Sequence, residues 1–311
     1  MKMNQMQKKH GIELRPGTEI RGKWHKQQYL IKRKLGSGTV GTVYLCAYNG
    51  KLAALKISQQ SASMTIEVNV LKALKKVQGN RLGPYLLDVD DLVVNKETTY
   101  TFYVMEYLQG ESLGGFIKNN GNEWIGVLML QLLEDLERLH QSGWIFGDLK
   151  TDNLLVLNSP PRVRWVDVGG TTQMGRAIKE YTEFYDRGYW GMGTRRAEPS
   201  YDLFAFVMVF LTIFYTNHFS KSANPEQMIT EKIDKVHTLA PYRDCFKKAI
   251  LGKYKSSAEM KQDLVAVLYS RQKQRQVKRK MRRVTKLPLL IESGGILLLA
   301  AAYYISSILF L

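Results

Sequence analysis

Three oxygen-bearing side chains, Asp148, Asn153 and Asp167, flank a predicted β-hairpin. Asp148 and Asn153 belong to the stretch D-L-K-T-D-N, and Asp167 begins the triplet D-V-G. Between them, apolar strands predicted at 153–157 and 163–166 surround a Pro-Pro turn. Such a hairpin can hold two carboxylates and one amide at one edge of a cleft. One carboxylate could accept the proton of a hydroxyl group, while the other carboxylate and the amide bind Mg²⁺. The pattern therefore favours phosphoryl transfer over two surface turns that carry acidic residues.

A glycine-rich segment precedes this hairpin in the sequence. Residues 35–43 read L-G-S-G-T-V-G-T-V, in which three glycines are spaced as G-x-G-x-x-G. Glycines let the backbone N–H groups of a turn approach phosphate oxygens without a side-chain clash. A glycine triplet is weak evidence by itself, because β-hairpins use glycine in ordinary turns. The residues that this segment offers to a nucleotide are Leu35, Gly36, Ser37, Gly38, Thr39, Val40, Gly41 and Val43.

Lys56 interrupts the apolar strand L-A-A-L-K-I that follows the glycine-rich segment. A buried lysine needs an acidic partner, and Glu67 is the only acidic residue between Lys56 and Asp88. Residues 65–77 have the periodicity of a helix. The apolar face predicted for this helix comprises Ile66, Val70, Leu74 and Val77. The eleven-residue link from Lys56 to Glu67 is short, which leaves the pairing open. A lysine on an edge strand is the alternative.

The predicted secondary structure changes from strands to helices near residue 109. Strands at 86–94 and 100–106 precede this point, and helices at 113–119 and 125–141 follow it. The predicted organisation is an N-terminal arm at 1–27, a first lobe at 28–109, a second lobe at 110–270, a basic juxtamembrane segment at 271–286 and an apolar tail at 287–311.

Charge is distributed unevenly along the chain of 311 residues, whose net charge is +17. A charge of this size predicts attraction to polyanions, either nucleic acid or an anionic membrane surface. Residues 271–286 contain nine Lys or Arg residues and no acidic residue. The two cysteines, Cys46 and Cys245, lie far apart without metal-ligand spacing. They predict a reducing compartment and no disulfide framework.

An uncharged run of 19 residues occupies positions 293–311. A helix of that length spans ~30 Å, the thickness of the hydrocarbon core of a bilayer. We expect residues 287–311 to cross the cell membrane once, with the preceding basic residues holding the N-terminal part of the chain in the cytoplasm. The basic residues could bind anionic lipid, which charge alone favours, or the phosphates of DNA without reading its sequence. The residues that would contact DNA are Lys278, Arg279, Lys280, Arg282 and Arg283.

Taken in order, these motifs resemble those of the Hanks-type Ser/Thr protein kinases over roughly residues 28–268. The resemblance implies an α+β, bilobal fold: an antiparallel sheet with one helix, then a mainly helical lobe, to which this chain adds a C-terminal transmembrane helix. It also implies ATP as the phosphoryl donor, Mg²⁺ or Mn²⁺ as the metal, and protein substrates.

The same resemblance implies a role for each polar residue. Asp148 would be the catalytic base, and Lys150 would steady the γ-phosphate. Asn153 and Asp167 would hold the metal.

It also implies how the nucleotide is held, with Lys56 and Glu67 forming an ion pair beside its phosphates. The adenine ring would lie between Val43, Ala54 and Leu155 and beside the backbone of Glu106 and Leu108.

The sequence departs from the kinase pattern in three places. It reads F-G-D instead of H-R-D, and Gly147 cannot grip a phosphorylated activation loop as an arginine would. We therefore expect activation without that grip, although Thr171 and Thr172 are available for phosphorylation. D-V-G replaces D-F-G, which is a mild change. No A-P-E motif ends the loop, and Glu198 stands too late in the sequence to replace it.

The kinase motifs, basic segment and apolar tail together resemble the membrane-anchored sporulation kinases of bacilli. This resemblance implies stimulation by DNA bound without sequence preference and action on cytoplasmic proteins during spore development. Self-association for autophosphorylation in trans is a separate expectation.

Two alternatives stay open. A small-molecule kinase of the aminoglycoside-phosphotransferase type has a similar loop, but Lys150 and Gly169 favour a protein kinase. A catalytically inactive membrane scaffold that binds DNA is the other alternative. The chain retains the residues that catalysis needs, which argues against it: Lys56, Asp148, Asn153 and Asp167.

Overall fold

The computed structural model of the chain describes residues 12–77, 82–274 and 276–277. The chain forms two units, Met1–Lys261 and Gln262–Leu311, and the strands and helices named below as β1–β11 and α1–α7 lie within the first. The strands are β1 Glu19–Arg21, β2 Gln28–Ser37, β3 Thr42–Tyr48, β4 Lys51–Ser58, β5 Leu86–Val93, β6 Thr99–Glu106, β7 Glu111–Ser112, β8 Trp144–Ile145, β9 Leu154–Asn158, β10 Pro161–Trp165 and β11 Thr172–Gln173. The helices are α1 Ser61–Leu74, α2 Leu113–Asn120, α3 Trp124–Gln141, α4 Arg187–Trp190, α5 Pro199–Thr212, α6 Pro225–Lys235 and α7 Arg243–Ile250. Residues 257–274 are also helical.

The first lobe is built on one antiparallel sheet with the strand order β1-β2-β3-β4-β6-β5. Side chains alternate between the two faces of each strand. One face buries an apolar cluster that includes Tyr29, Ile31, Leu55 and Phe102. Lys56 follows Leu55 and therefore points to the other face, where α1 packs against β5 and β6.

The sheet begins earlier in the chain than predicted. Residues 1–27 are predicted to form an arm, whereas β1 pairs with β2, and Leu14 and Ile20 lie in the buried cluster. The turn after β1 donates two backbone N–H groups to the carboxylate of Asp90 on β5. Of the residues that the structure describes, those from 12 onward thus belong to the first lobe.

Helix α1 also differs from its prediction, both in its start and in its buried face. It begins at Ser61 instead of 65, and Ile66 is 59% exposed. The face that packs on the sheet comprises Met64, Glu67, Val68, Val70, Leu71 and Leu74. Because Glu67 lies on this face, its carboxylate is directed towards Lys56 instead of solvent.

The second lobe is centred on α3 and α5. Helix α5 is buried on all sides from Tyr201 to Leu211, as its nearly continuous apolar sequence predicts. It packs against α7 and β8. Strands β9 and β10 form the predicted hairpin, and β7 pairs with β9 at its other edge. Leu155 of the hairpin lines the same cleft as Val43 and Ala54 of the sheet, so the hairpin lies on the side of the lobe that faces the sheet.

The predicted transmembrane segment, 287–311, and the predicted DNA-contacting residues between 278 and 283 lie outside the described residues. Within the part of the chain that the structure describes, no helix combines the length and the apolar character that a membrane span requires.

Candidate active site

Asp202 of the buried helix α5 holds the loop that carries Asp148 in place. The carboxylate of Asp202 accepts hydrogen bonds from the backbone N–H of Phe146 (2.7 Å) and of Gly147 (3.0 Å). His140 Nε2 lies 2.8 Å from the same carboxylate. These contacts fix the backbone just before Asp148 to a helix at the centre of the lobe.

Gly147 occupies a position that accepts no larger residue without rearrangement. Its φ is +80°, a conformation that favours glycine. A Cβ atom at this position would collide with the carbonyl oxygen of Gly170. The glycine in F-G-D is therefore a requirement of this backbone.

Asp148 accepts two hydrogen bonds through its carboxylate at the floor of the cleft. Thr182 Oγ1 donates to Oδ1 (2.9 Å) and Lys150 Nζ donates to Oδ2 (2.6 Å). Lys150 Nζ also donates to Thr182 Oγ1 (3.1 Å). The hydroxyl group of Thr182 thereby connects the loop after residue 170 to the carboxylate of Asp148.

Asn153 and Asp167 bring hard oxygen atoms to the same cleft. Asn153 Nδ2 donates to the backbone carbonyl of Asp148 (2.8 Å), so its Oδ1 faces away from that bond. Asp167 accepts from the backbone N–H of Gly169 (2.8 Å), and its side chain is 45% exposed to the cleft. One amide oxygen and one carboxylate suit Mg²⁺, which prefers oxygen ligands and retains several water molecules. The residues present thus fit the metal that the kinase resemblance implies.

Lys56 and Glu67 form a buried ion pair despite the short link between them. Lys56 Nζ lies 2.8 Å from Glu67 Oε1 and 2.7 Å from Oε2, and 3.7 Å from Asp167 Oδ2. Burial by itself lowers the pKa of Lys56, but the charges of Asp167 and Glu67 reverse this effect and raise the pKa. The ammonium group therefore stays charged inside the cleft.

Tyr103 adds a contact that sequence reasoning missed. It stands opposite Lys56 in the β4–β6 register, and its hydroxyl donates a 2.6 Å hydrogen bond to Glu67 Oε2. Tyr103 is one of two tyrosines in β6, and nothing in the sequence distinguishes it as the one that contacts Glu67.

The cleft between the sheet and the second lobe has a volume of about 630 Å³. It brings together every residue that the sequence analysis assigns to nucleotide, metal or catalysis. These are Leu35, Gly36, Ser37, Gly38, Thr39, Val40, Gly41, Val43, Ala54, Lys56, Glu67, Glu106, Leu108, Asp148, Lys150, Asn153, Leu155 and Asp167. The backbone N–H of Glu106 is bonded to the carbonyl of Tyr85, so a contact from Glu106 to adenine would have to come from its carbonyl oxygen.

Glu180 is a second residue of the cleft that sequence reasoning missed. Burial first, and then the charge of Glu67, raise the pKa of Glu180, while Lys56 opposes the shift. The loop that contains Glu180 follows no periodic pattern, so the sequence does not indicate that the side chain of Glu180 faces the cleft.

The loop after Asp167 is held by contacts that take the place of an A-P-E motif. Asp186 is buried and accepts hydrogen bonds from Tyr201 Oη (2.9 Å) and Arg195 Nε (2.7 Å). Glu198 pairs with Arg187 at 2.5 Å. The charged residues that hold the loop thus all precede α5, and Tyr201 supplies the contact from the helix itself.

The expectation that Thr171 is available for phosphorylation is wrong for this conformation. Thr171 is 4% exposed, and its hydroxyl has no hydrogen-bond partner among the described residues. It directly precedes β11, which pairs with β8. Thr172 is half-buried and bonds to the carbonyl of Gly170.

The chain belongs to the protein kinase family, since a family model of the protein kinase domain matches residues 29–284. It is a serine/threonine protein kinase. Among its relatives, the serine/threonine-protein kinase YabT of Bacillus subtilis (strain 168) is 49% identical over 253 residues, which cover 81% of this chain and 75% of that protein. Cyclin-dependent kinase G-2 of Oryza sativa subsp. indica is 30% identical over 162 residues, which cover 48% of this chain and 22% of that protein.

Solved structures confirm the bilobal kinase fold. The structure of vaccinia related kinase 3 matches with a TM-score of 0.61 at 16% identity, over 84% of this chain and 93% of that chain. The kinase domain of Mycobacterium tuberculosis PknI matches with a TM-score of 0.56 at 14% identity, over 82% of this chain and 99% of that chain. At these identities the likeness concerns the fold alone.

Proposed function

We propose that Asp148 is the catalytic base of this kinase and that the cleft positions ATP for transfer to a protein hydroxyl group. The observation that carries the proposal is the meeting of Lys56, Asp148, Lys150, Asn153 and Asp167 in one cleft. Acidic, basic and amide groups in that combination are the parts that phosphoryl transfer needs.

In the proposed reaction, the substrate oxygen forms a bond to the γ-phosphorus, and the bond from that phosphorus to the bridging oxygen of ADP breaks. The hydroxyl proton passes to the carboxylate of Asp148. Lys150, already 2.6 Å from this carboxylate, would place its charge beside the transferred group. Asn153 and Asp167 would hold Mg²⁺, or Mn²⁺, which supplies neutralisation of phosphate charge.

The nucleotide itself would lie under the β2–β3 turn. A Cβ atom added at Gly36 or at Gly38 would meet no other atom within 4 Å. The space beside these glycines is therefore open, and backbone N–H groups there can approach phosphates closely. Lys56, held by Glu67, would face the α- and β-phosphates. Ala54 and Leu155 would enclose the adenine ring.

Incubation with labelled ATP, Mg²⁺ and a generic protein substrate tests this chemistry. Phosphoserine or phosphothreonine should form both on the kinase and on the substrate, and EDTA should abolish the label. Label that persists in EDTA would contradict the assignment of a metal to Asn153 and Asp167.

We further propose that residues 271–286 and 287–311 attach the kinase to the cytoplasmic face of the cell membrane. The nine basic residues and the uncharged run of 19 residues support this proposal. Lobes at 28–109 and 110–270 would then lie in the cytoplasm, where protein substrates are found.

The same basic segment supports stimulation by DNA as part of the proposed function. Kinase molecules gathered along a polyanion would reach a high local concentration, which favours phosphorylation between neighbours without base-specific contacts. A role in sporulation is proposed from the resemblance to the sporulation kinases of bacilli.

Double-stranded DNA of any sequence should therefore stimulate the full-length kinase, and the effect should weaken steeply with salt. The expected log–log slope is about −0.9 for each phosphate contact. Replacing the basic cluster by alanine should remove stimulation and leave basal activity. The residues to replace are Lys278, Arg279, Lys280, Arg282 and Arg283.

A matched control removes five exposed lysines elsewhere in the described chain. These are Lys51, Lys96, Lys118, Lys253 and Lys255. Their replacement should leave the stimulation by DNA unchanged, because it lowers net charge without touching the basic segment. Equal stimulation of both variants would show that the segment serves only as a membrane anchor.

A further inference from the structure

Glu67 is tied to the sheet from two neighbouring strands. Lys56 on β4 contacts both carboxylate oxygens, and Tyr103 on β6 donates to Oε2 at 2.6 Å. Lys56 is 6% exposed, Glu67 2% and Tyr103 2%. Burial, followed by the charges of Glu67 and Asp167, raises the pKa of Tyr103 well above its ordinary value, so its hydroxyl keeps the proton that it donates.

We propose that Tyr103 is a positioning residue for the kinase reaction, holding Glu67 and α1 in place while Lys56 is shared with the nucleotide. This inference rests on the proposed roles of Lys56 and Glu67 in nucleotide binding. Tyr103 reaches neither the metal ligands nor Asp148 through a hydrogen bond in the described structure, and therefore acts through Glu67.

The buried carboxylate of Glu67 needs a second hydrogen-bond partner besides Lys56. A buried charge that loses its partner strongly destabilises the protein. When Lys56 turns its ammonium group towards phosphates, its hold on Glu67 weakens. The hydroxyl of Tyr103 cannot be drawn away in the same manner, because the side chain is fixed in the core of the lobe and carries no charge.

Helix α1 packs an apolar face on the sheet, but its N-terminal end is weakly stabilised. Gln60 at its N-terminus makes no side-chain cap, and its first turn contains no acidic residue, so the helix lacks two common sources of stability at that end. Gly147 also leaves the kinase without an arginine that a phosphorylated loop could contact. The Tyr103 hydrogen bond supplies a permanent hold that needs no phosphorylation.

Replacement of Tyr103 by phenylalanine removes only the hydroxyl group. In the full-length Tyr103→Phe kinase, kcat should fall about tenfold, since one hydrogen bond to a charged group is lost. The KM for ATP should change less than about threefold, because the bond matters most once the nucleotide has engaged Lys56. Amide hydrogen exchange of α1 in the nucleotide-bound enzyme should become faster.

Tyr44→Phe is the matched control. Tyr44 is also buried in the sheet, and its hydroxyl bonds to the backbone of Ile12 and Leu14 on the opposite face. This variant should lower the melting temperature to a similar degree, yet keep kcat within about twofold and leave the exchange of α1 unchanged.

The inference is overturned if Tyr103→Phe keeps kcat within about twofold of the wild type, or if it loses no more activity than Tyr44→Phe at equal stability. Lys56→Ala distinguishes this result from failure of the proposed function. An inactive Lys56→Ala variant with a fully active Tyr103→Phe variant would refute the role of Tyr103 alone. Full activity of Lys56→Ala would refute the nucleotide-binding role on which the inference rests.

Discussion

At residue 147 a single backbone conformation decides which side chain the catalytic loop can carry. Gly147 combines a φ of +80° with close contact to the backbone at Gly170. A kinase with this backbone cannot use an arginine there to read the phosphorylation state of its activation loop. The hold on the loop passes instead to Thr182, which bonds to Asp148 and Lys150.

Gly147→Ala should therefore reduce both stability and activity. We expect a loss of about 1–3 kcal/mol in the free energy of unfolding from backbone strain alone, and more from the displaced Gly170, together with a fall in kcat. Gly175→Ala is the control, since Gly175 has a φ of +86° but no atom near its Cβ position. Denaturant unfolding and kinase assays of the two variants should differ clearly; equal losses would show that the contact with Gly170 is unimportant.

The residues of the cleft could be predicted where a motif fixes their spacing, and could not where the fold alone brings them in. Glu67 is the default partner of Lys56 in the sequence, because it is the only acidic residue in that interval. The short link left this pairing open, and the contact between the two side chains in the structure decides it. Tyr103 and Glu180 were missed. The contact of Tyr103 arises from strand register, and the position of Glu180 arises from an irregular loop. Neither produces a periodic pattern in the sequence.

At the level of elements, the sequence predicts which segments are strands and which are helices, but it predicts their ends and their buried faces less well. The predicted face of α1 includes Ile66, which is exposed, and omits Glu67, which is buried. A buried glutamate counts as polar in a periodicity argument, so the pattern shifts by one residue. The true face follows Met64, Val68 and Leu71, and Glu67 is buried on it because it pairs with Lys56.

The activation segment leads to a prediction about its threonines. Thr171 is buried and Thr172 bonds within its own turn, while Asp186 and Arg187 hold the rest of the segment. Replacing Thr171 and Thr172 together by alanine should cost less than about tenfold in activity, or under about 1.4 kcal/mol in the barrier. Initial-rate assays check this value. A loss of about a hundredfold would mean that phosphorylation of this segment is required after all.

At the level of the whole molecule, the family and the two lobes follow from ordered motifs, and the matched family model at residues 29–284 agrees with them. The N-terminal boundary of the first lobe could not be predicted from the sequence, because β1 contains only three residues. Short strands with a single buried side chain give too little pattern to be placed from sequence.

The proposed membrane anchor gives a whole-molecule prediction. A chain truncated after Arg271 lacks most of the basic segment and the entire apolar tail, so it should remain in the supernatant after ultracentrifugation of cell membranes. The full-length chain should sediment with the membranes and resist extraction by high salt. A truncated chain that still sediments would show that another part of the protein binds the membrane.

The most direct test of the account is the rate of phosphoryl transfer from labelled ATP by the full-length kinase and by its Asp148→Asn variant. Asparagine keeps the size of the side chain but cannot accept the hydroxyl proton. Removing a general base costs roughly a hundredfold or more in rate, so Asp148→Asn should lose autophosphorylation and substrate phosphorylation while its melting curve stays cooperative. Asp244→Asn, a change at an exposed position of α7, should keep the wild-type rate. Undiminished transfer by Asp148→Asn would contradict the assignment of the base and, with it, the proposed chemistry of the cleft.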